Sequence, residues 1–115
     1  MKADFKTWFV RLPTVPGMLC CGLRQPNGKC VGFGDERVYP PEKIERLLKE
    51  FGELHTPLIA AEFYPRWSTW AFGYGLLRYV VRSDKRLLLL LATPDSEAAR
   101  ELDRISEEFL APGFK

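Results

Sequence analysis

The chain has 115 residues, of which 46% are apolar, and a formal net charge of +2 at pH 7. This size and composition are typical of one globular domain and exclude an intrinsically disordered protein. The net charge is too small to indicate nucleic-acid binding, and no apolar run reaches the roughly 20 residues that span a bilayer, so we expect neither nucleic-acid binding nor membrane insertion.

We expect a single domain over residues 1–115. The segment Met1–Lys6 lacks the apolar stretch of a signal peptide, which indicates a cytoplasmic protein. Basic residues gather around one predicted turn, and we interpret them as a solvated surface because no stripe of interleaved aromatic residues extends from them. They are Arg78, Arg82, Lys85 and Arg86.

The opening segment carries apolar side chains at helical spacing, namely Phe5, Trp8, Phe9 and Leu12. One helical face holds all four, and Pro13 then ends the helix. A strand over Thr7–Leu12 is the alternative, since Trp, Phe and Val favour sheets. We prefer the helix.

A hairpin follows. Met18–Arg24 is a short apolar segment, and Cys30–Phe33 is the returning strand. Asn27-Gly28 between them accepts the positive φ angles of a tight two-residue turn. That turn would place Cys30 opposite Gln25.

An amphipathic helix comes next. Pro40 and Pro41 suit its first turn, where a missing N–H costs little. Its apolar stripe consists of Ile44, Leu47, Leu48, Phe51 and Leu54. The outer side is charged, so this stripe is about wide enough to cover a sheet and no more.

Three strands are predicted after this helix. Leu58–Tyr64 lies between Pro57 and Pro65, and Trp70–Arg82 is a long aromatic segment. Leu87–Leu91 is uniformly apolar, as expected of a central strand that is covered on both faces. We therefore place the leucine strand near the middle of the sheet and Leu58–Tyr64 near an edge.

The last helix is predicted to start at Thr93 as the N-cap, with Pro94 in the first turn. Its buried side would hold Ala98, Leu102, Ile105 and Phe109. The complete order is α-β-β-α-β-β-β-α. The fold class is α/β (α+β): a three-layer α/β/α sandwich around a five-stranded, mainly antiparallel sheet.

From Phe5 to Leu110 the chain resembles a Roadblock/LC7 domain. The resemblance is carried by the opening helix, by the apolar strand with its preceding Pro-Gly in residues 15–23, and by the Asn27-Gly28 turn. It implies a sheet ordered 2-1-5-4-3, with one helix on one face and two on the other. It also implies a noncatalytic dimeric scaffold or regulator of small GTPases, whose third strands pair across the two-fold axis beside crossing helices. Profilin-like, longin and PAS domains have related layouts.

The predicted third strand is the expected homodimer interface. A sheet edge offers unpaired backbone groups, and this segment lacks the lysine, mid-strand proline or bulge that usually guards one. The interface residues are Leu58, Ile59, Ala60, Ala61, Glu62, Phe63 and Tyr64. Tyr64, Arg66 and Trp67 are residue types enriched at binding hot spots and are candidates for contacting a partner protein. The alternative is that these aromatic residues fold back over the end of the sheet.

No catalytic residue, cofactor or metal site is expected. Cys20 and Cys21 lie too far along the hairpin to bridge to Cys30, so buried, reduced thiols are indicated. His55 is the single histidine and falls at a helix end, where a cation is favoured. Two other functions stay open: a PAS- or profilin-like sensor with a small-ligand pocket beneath the middle helix, and a thiol enzyme that uses Cys20 or Cys21 with His55.

Overall fold

The computed structural model describes residues 5–112. Expectations about Met1–Asp4 and the last three residues, at the two ends of the predicted 1–115 domain, lie outside this range. The elements are α1 (Phe5–Phe9), β1 (Met18–Arg24), β2 (Cys30–Gly34), α2 (Pro41–Leu54), α3 (Thr56–Ala60), β3 (Trp67–Phe72), β4 (Gly75–Val81), β5 (Leu87–Ala92) and α4 (Glu97–Leu110). A 3₁₀ turn over Leu12–Thr14 follows α1. None of the helices in the described range is long and apolar enough to cross a membrane.

The five strands form one sheet in the order β2-β1-β5-β4-β3, and every neighbouring pair is antiparallel. This confirms the predicted fold class and the strand order that the Roadblock/LC7 resemblance implies. Strand β5 is central, as predicted, and Leu88, Leu89 and Leu90 are fully buried. Alternate side chains of β5 enter opposite layers, which explains why the strand is apolar throughout.

Helices cover both faces of the sheet. On one side α1 and α4 pack together, with the rings of Phe5 and Phe109 5.7 Å apart. The indole N–H of Trp8 donates to Glu108 of α4 over 3.0 Å. The predicted stripes of the first and last helices therefore form one core. The other face is covered by α2.

Helix α2 approaches β1 and β2 unusually closely because two glycines face it. A Cβ atom added to Gly22 would lie 2.6 Å from Ile44 Cγ2, and one added to Gly32 would lie 2.8 Å from the same side chain. Ile44 and Leu48 are buried against these strands. The space between α2 and this part of the sheet is thus filled by the helix's own side chains.

The prediction of a strand over Leu58–Tyr64 is wrong. The segment contains most of α3 and then a turn, in which Glu62 has φ of 65°. Pro57 sits in the first turn of α3, where proline favours helix, and the following alanines support it. A strand is predicted here because the segment is short and apolar. Such a run is equally compatible with a short helix, so the sequence pattern alone does not distinguish the two.

The single strand predicted over Trp70–Arg82 is instead a hairpin. Strand β3 begins earlier, at Trp67, and turns through Gly73 and Tyr74 into β4. The sheet still has five strands, as predicted, because the segment predicted as one strand contributes two and Leu58–Tyr64 contributes none. The true sheet edge on this side is β3.

The first hairpin also differs in register from the prediction. The Gln25 N–H donates to the Lys29 carbonyl over 2.8 Å, so the loop has three residues and Cys30 pairs with Arg24. Within this loop Gly28 alone has a positive φ, of 87°, whereas a two-residue loop of this type needs two such residues. Pro26 fits the first position of the observed loop.

The start of the last helix is displaced as well. Ser96, and not Thr93, is the N-cap residue of α4, and its Oγ accepts a hydrogen bond from the Ala99 N–H over 3.1 Å. Residues 93–95 form a turn in which Asp95 has φ of 62°, so the helix cannot begin there.

Candidate protein-interaction surface on the third strand

Strand β3 has a free edge, since its single partner among the described strands is β4. The Val81 N–H donates to the Arg66 carbonyl over 3.0 Å. Hydrogen-bonded pairs alternate along an antiparallel ladder, so Ser68 and Trp70 also bond toward β4. The backbone groups of Trp67, Thr69 and Ala71 consequently point away from the sheet.

This edge carries none of the usual guards against pairing. The sequence of β3 is Trp-Ser-Thr-Trp-Ala-Phe, without lysine, proline or any charge. Natural sheet edges that stay solvent-exposed usually have at least one of these. The edge therefore has the properties of a pairing surface.

Aromatic side chains extend the edge into an apolar surface on the side of α2. Trp70 and Phe72 share one face of β3 and are 41% and 45% exposed. The Trp70 ring contacts Phe51 of α2 at 5.6 Å between centroids, and Phe72 stacks with Tyr74 at 6.2 Å. We call these four residues, Phe51, Trp70, Phe72 and Tyr74, the β3 patch.

The opposite face of the hairpin is held by a buried arginine. Arg78 Nε donates to Thr69 Oγ1 over 2.8 Å, and its Nη1 donates to Ser106 Oγ of α4 over 3.0 Å. The guanidinium also lies 4.9 Å from the centre of the Trp67 ring. These contacts fix β3 against α4, so the edge is presented by a rigid element.

The prediction of a solvated basic turn is wrong for Arg78 and Arg82, which are both buried. Arg82 Nη1 donates to the Ala111 carbonyl over 2.8 Å and also to the Phe109 carbonyl. Last-turn carbonyls of a helix lack intrahelical partners, and Arg82 satisfies them at the end of α4.

The structure separates the three predicted partner-binding residues. Trp67 is half-buried beneath Arg78 and Arg66, so it covers the sheet. Arg66 Nη2 pairs with Glu107 of α4 over 3.0 Å at the surface. Tyr64 is 72% exposed and is the member that projects into solvent.

All seven predicted interface residues lie on the surface, although they do not form a strand. Leu58, Ile59, Phe63 and Tyr64 are large exposed side chains around α3 and its following turn. The remaining members, Ala60, Ala61 and Glu62, are also exposed. A partner could therefore form backbone hydrogen bonds with β3, whereas residues 58–64 could contact it only through their exposed side chains.

The two neighbouring cysteines are poor nucleophiles. Burial raises the pKa of the Cys20 thiol to about 11 and that of Cys21 to about 12. His55 contacts Ser68 of β3. Strands β3 and β1 are three strand spacings apart in the sheet, which corresponds to roughly 14 Å between His55 and the strand that carries the two cysteines. The thiol–imidazole pair that a cysteine enzyme requires is therefore not assembled.

His55 itself has an unexpected partner. It follows α2, as predicted, but its Nε2 lies 2.6 Å from Ser68 Oγ of β3, and its ring meets Tyr79 edge-on at 5.1 Å. Burial lowers the pKa of His55. The neutral ring is thus favoured, and the expected role as a cation at a helix end is wrong.

Comparison with known proteins supports the fold. No protein-family model matches the sequence, and no curated protein matches it. The structure is similar to a Roadblock/LC7 domain from Streptomyces avermitilis, with a TM-score of 0.59 and 15% sequence identity over 92% of this chain and 94% of that chain. It is also similar to Myxococcus xanthus MglB, with a TM-score of 0.57 and 12% identity over 81% of this chain and 80% of that chain. The chain has the Roadblock/LC7 fold.

Proposed function

We propose that this protein is a noncatalytic regulatory scaffold of Roadblock/LC7 type, which forms a homodimer through β3 and binds a further protein. The observation that carries the proposal is the unguarded β3 edge with its exposed aromatic side chains. A small GTPase is the partner class that the Roadblock/LC7 resemblance implies.

Pairing of two β3 strands about a two-fold axis would satisfy the backbone groups of Trp67, Thr69 and Ala71. It would also close the assembly, since an isologous contact uses the same surface on both copies. Trp70 and Phe72 of each copy would then lose contact with water beside the seam. Both the polar and the apolar parts of the surface are accounted for by this arrangement.

The segment Leu58–Tyr64 leads into β3 through Pro65 and Arg66. We assign its exposed apolar side chains to the same interaction region, either at the rim of the dimer or against the further partner. Tyr64 is the strongest partner-binding candidate because aromatic side chains supply a large contact area at low entropic cost.

The two other candidate functions lack support from geometry. Ile44 and Leu48 occupy the space beneath α2 in which a sensor of PAS or profilin-like type would hold its ligand. The buried thiols of Cys20 and Cys21 have raised pKa values and no imidazole beside them. A noncatalytic binding role is consistent with both findings.

Sedimentation equilibrium at micromolar concentration tests the homodimer. We expect the parent protein to be a dimer and Ala71→Pro to be a monomer, because proline removes an outward N–H donor from the edge. The Ala71 side chain is exposed, so the core should stay intact. Phe72→Lys should also dissociate the dimer, whereas Val10→Lys, at a similarly exposed apolar residue near Leu23 and Val31 at the β2 end of the sheet, should not. A monomeric parent would contradict the proposed dimer.

The partner class requires a separate experiment. Immobilised protein is exposed to lysate of the source organism that has been loaded with GDP or with a non-hydrolysable GTP analogue, and bound proteins are identified by mass spectrometry. We expect a small GTPase whose retention depends on the nucleotide and falls for Tyr64→Ala. Retention of no GTPase in either nucleotide state would contradict this part of the proposal.

A further inference from the structure

The sheet has a second free edge, on the side opposite β3. Within residues 5–112, strand β2 pairs with β1 alone. The Gln25 N–H donates to the Lys29 carbonyl, so these two residues form a hydrogen-bonded pair. Hydrogen-bonded pairs occur at every second residue of an antiparallel ladder, so the backbone groups of Val31 and Phe33 also bond to β1. The backbone groups of Cys30, Gly32 and Gly34 therefore point outward, and within β2 no lysine or proline guards them.

An apolar cleft of about 360 Å³ lies beside this edge, between α1 and the β1–β2 hairpin. Its apolar lining includes Phe9, Leu23 and Phe33, and the rings of Phe9 and Phe33 are 5.4 Å apart. Val31 of the edge strand also lines the cleft and is 42% exposed. Successive side chains of a strand point to opposite faces of the sheet, so every second side chain of a strand added to β2 would lie on the face that carries this cleft.

The charged side chains that line the cleft are basic. Lys6 and Lys29 are the charged residues of its described lining, and Gln25 adds a polar group near Lys29. Lys29 immediately precedes β2, so it adjoins both the cleft and the row of outward backbone groups. An occupant with a carboxylate at this end would be attracted, and one with a cation would be repelled.

We propose that β2 and this cleft bind an extended segment of a partner protein, which adds a strand to the sheet, inserts an apolar side chain into the cleft and places an acidic residue near Lys29. Strand addition takes its affinity from main-chain hydrogen bonds and its specificity from pockets for alternate side chains, and both features are present here. The site lies beyond the proposed dimer because it uses the opposite edge. A β3-linked dimer would carry two such sites, one at each end of its continuous sheet.

A second copy of this chain is the alternative occupant. If both β2 and β3 paired with their own copies, however, the sheet would extend without closing, as a filament does. A partner segment leaves a closed assembly. It also places a carboxylate beside Lys29, which the charge of that residue favours.

Fluorescence anisotropy with a defined probe tests the site on the full chain. The probe is a capped, fluorescein-labelled peptide of seven residues that alternates valine with threonine and carries two aspartates at one end. We expect saturable binding, about tenfold weaker binding when lysines replace the aspartates, and loss of binding when alternate peptide amides are N-methylated. No saturable binding of the aspartate peptide would overturn the proposal, as would equal binding of the N-methylated peptide.

Protein variants locate the binding. Val31→Glu and Lys29→Glu should each weaken it about tenfold, which corresponds to about 1.4 kcal/mol. Val38→Glu and Lys49→Glu make the same changes at exposed residues outside the cleft and should leave it unchanged. Cys30→Pro removes an outward N–H and should abolish binding while the protein still melts cooperatively. Undiminished binding by the Val31 and Lys29 variants would overturn the assignment to β2.

The two edges are distinguished by combining the assays. Ala71→Pro protein should bind the peptide as the parent does, even where it no longer dimerises, so failure at one edge leaves the other open to test. Assemblies larger than a dimer that dissociate in Cys30→Pro would assign β2 to a second copy and overturn the proposal.

Discussion

The Arg78 guanidinium and the Asp103 carboxylate join the β3–β4 hairpin to α4, with Nη2 donating to Oδ1 over 2.8 Å. The two partners differ sharply in environment: the arginine side chain is 8% exposed and the aspartate side chain is 80% exposed. Solvent screens such a pair on the aspartate side, so the ion pair itself contributes little. The value of Arg78 lies in its buried hydrogen bonds to Ser106 and Thr69 and in its packing against Trp67.

We therefore predict unequal effects for the two ends of this contact. Asp103→Asn should lower the free energy of unfolding by less than about 1 kcal/mol, as for an exposed pair. Arg78→Met, which keeps most of the buried volume, should cost about 1–3 kcal/mol because hydrogen bonds are lost. Urea denaturation of both variants measures the difference, and an equal loss would show that the ion pair dominates.

The contact between His55 and Ser68 predicts a pH dependence of stability. Burial lowers the pKa of His55 in the folded protein, so the unfolded chain binds a proton at a higher pH. Stability should therefore fall as the pH decreases through about 6.5, the ordinary histidine value, toward the lowered pKa. The slope cannot exceed about 1.4 kcal/mol per pH unit for one group.

Urea midpoints at pH 7.5 and 5.5 measure this effect. His55 is the single histidine of the chain, so few other groups change charge in this interval. His55→Gln keeps a polar group beside Ser68 but cannot be protonated, and its midpoint should change less with pH. A parent protein that is more stable at pH 5.5 would contradict the buried neutral ring.

The cysteines should differ in reactivity. Cys20 and Cys21 are buried with raised pKa values, so little thiolate is present or accessible at neutral pH. Cys30 is partly exposed on the edge strand. Titration of native protein with a thiol reagent should label Cys30 first, and Cys30→Ser protein should react slowly until it is denatured. Rapid labelling of native Cys30→Ser would restore the thiol enzyme as a candidate.

Leu89 lies at the centre of the sheet and is fully buried. Leu89→Ala should reduce the free energy of unfolding by about 2–5 kcal/mol, through lost burial and the cavity that remains. Leu89→Asp should prevent soluble expression, because no partner is available for a buried charge. A cooperatively melting Leu89→Asp protein would contradict the central placement of β5.

Gly22 and Ile44 should be energetically coupled. Gly22→Ala introduces a Cβ that would lie 2.6 Å from Ile44 Cγ2, so we expect a loss of about 1–3 kcal/mol from overpacking. Ile44→Ala removes the atom that clashes. In the double variant the alanine at position 22 should cost much less, and thermal unfolding of all four proteins provides the cycle. Additive losses would show that α2 does not rest on Gly22.

The elements that the sequence predicted well are those with a strong local pattern. They are the apolar stripe of α2 except for its exposed Leu54, the presence of a hairpin around Gly28 though not its register, and the continuous leucines of β5. Each satisfies local backbone chemistry and burial at once. Where local backbone preference and the burial pattern agree, the structure of a short segment can be predicted without knowledge of the segments that pack against it. The Roadblock/LC7 resemblance depended on the order of such segments, and that order is observed with the short helix α3 added between α2 and β3.

The tertiary structure decided which segment forms the edge strand and how polar side chains pair. Leu58–Tyr64 and Trp67–Phe72 are both short and apolar, and the choice between them depends on pairing with β4, which no local period encodes. The contacts of Arg78 with Ser106 and of His55 with Ser68 likewise join residues from different elements. From sequence alone, a charged or titratable side chain is expected to lie in solvent. Whether it is buried depends on partners distant in sequence, whose hydrogen bonds compensate the cost of its desolvation.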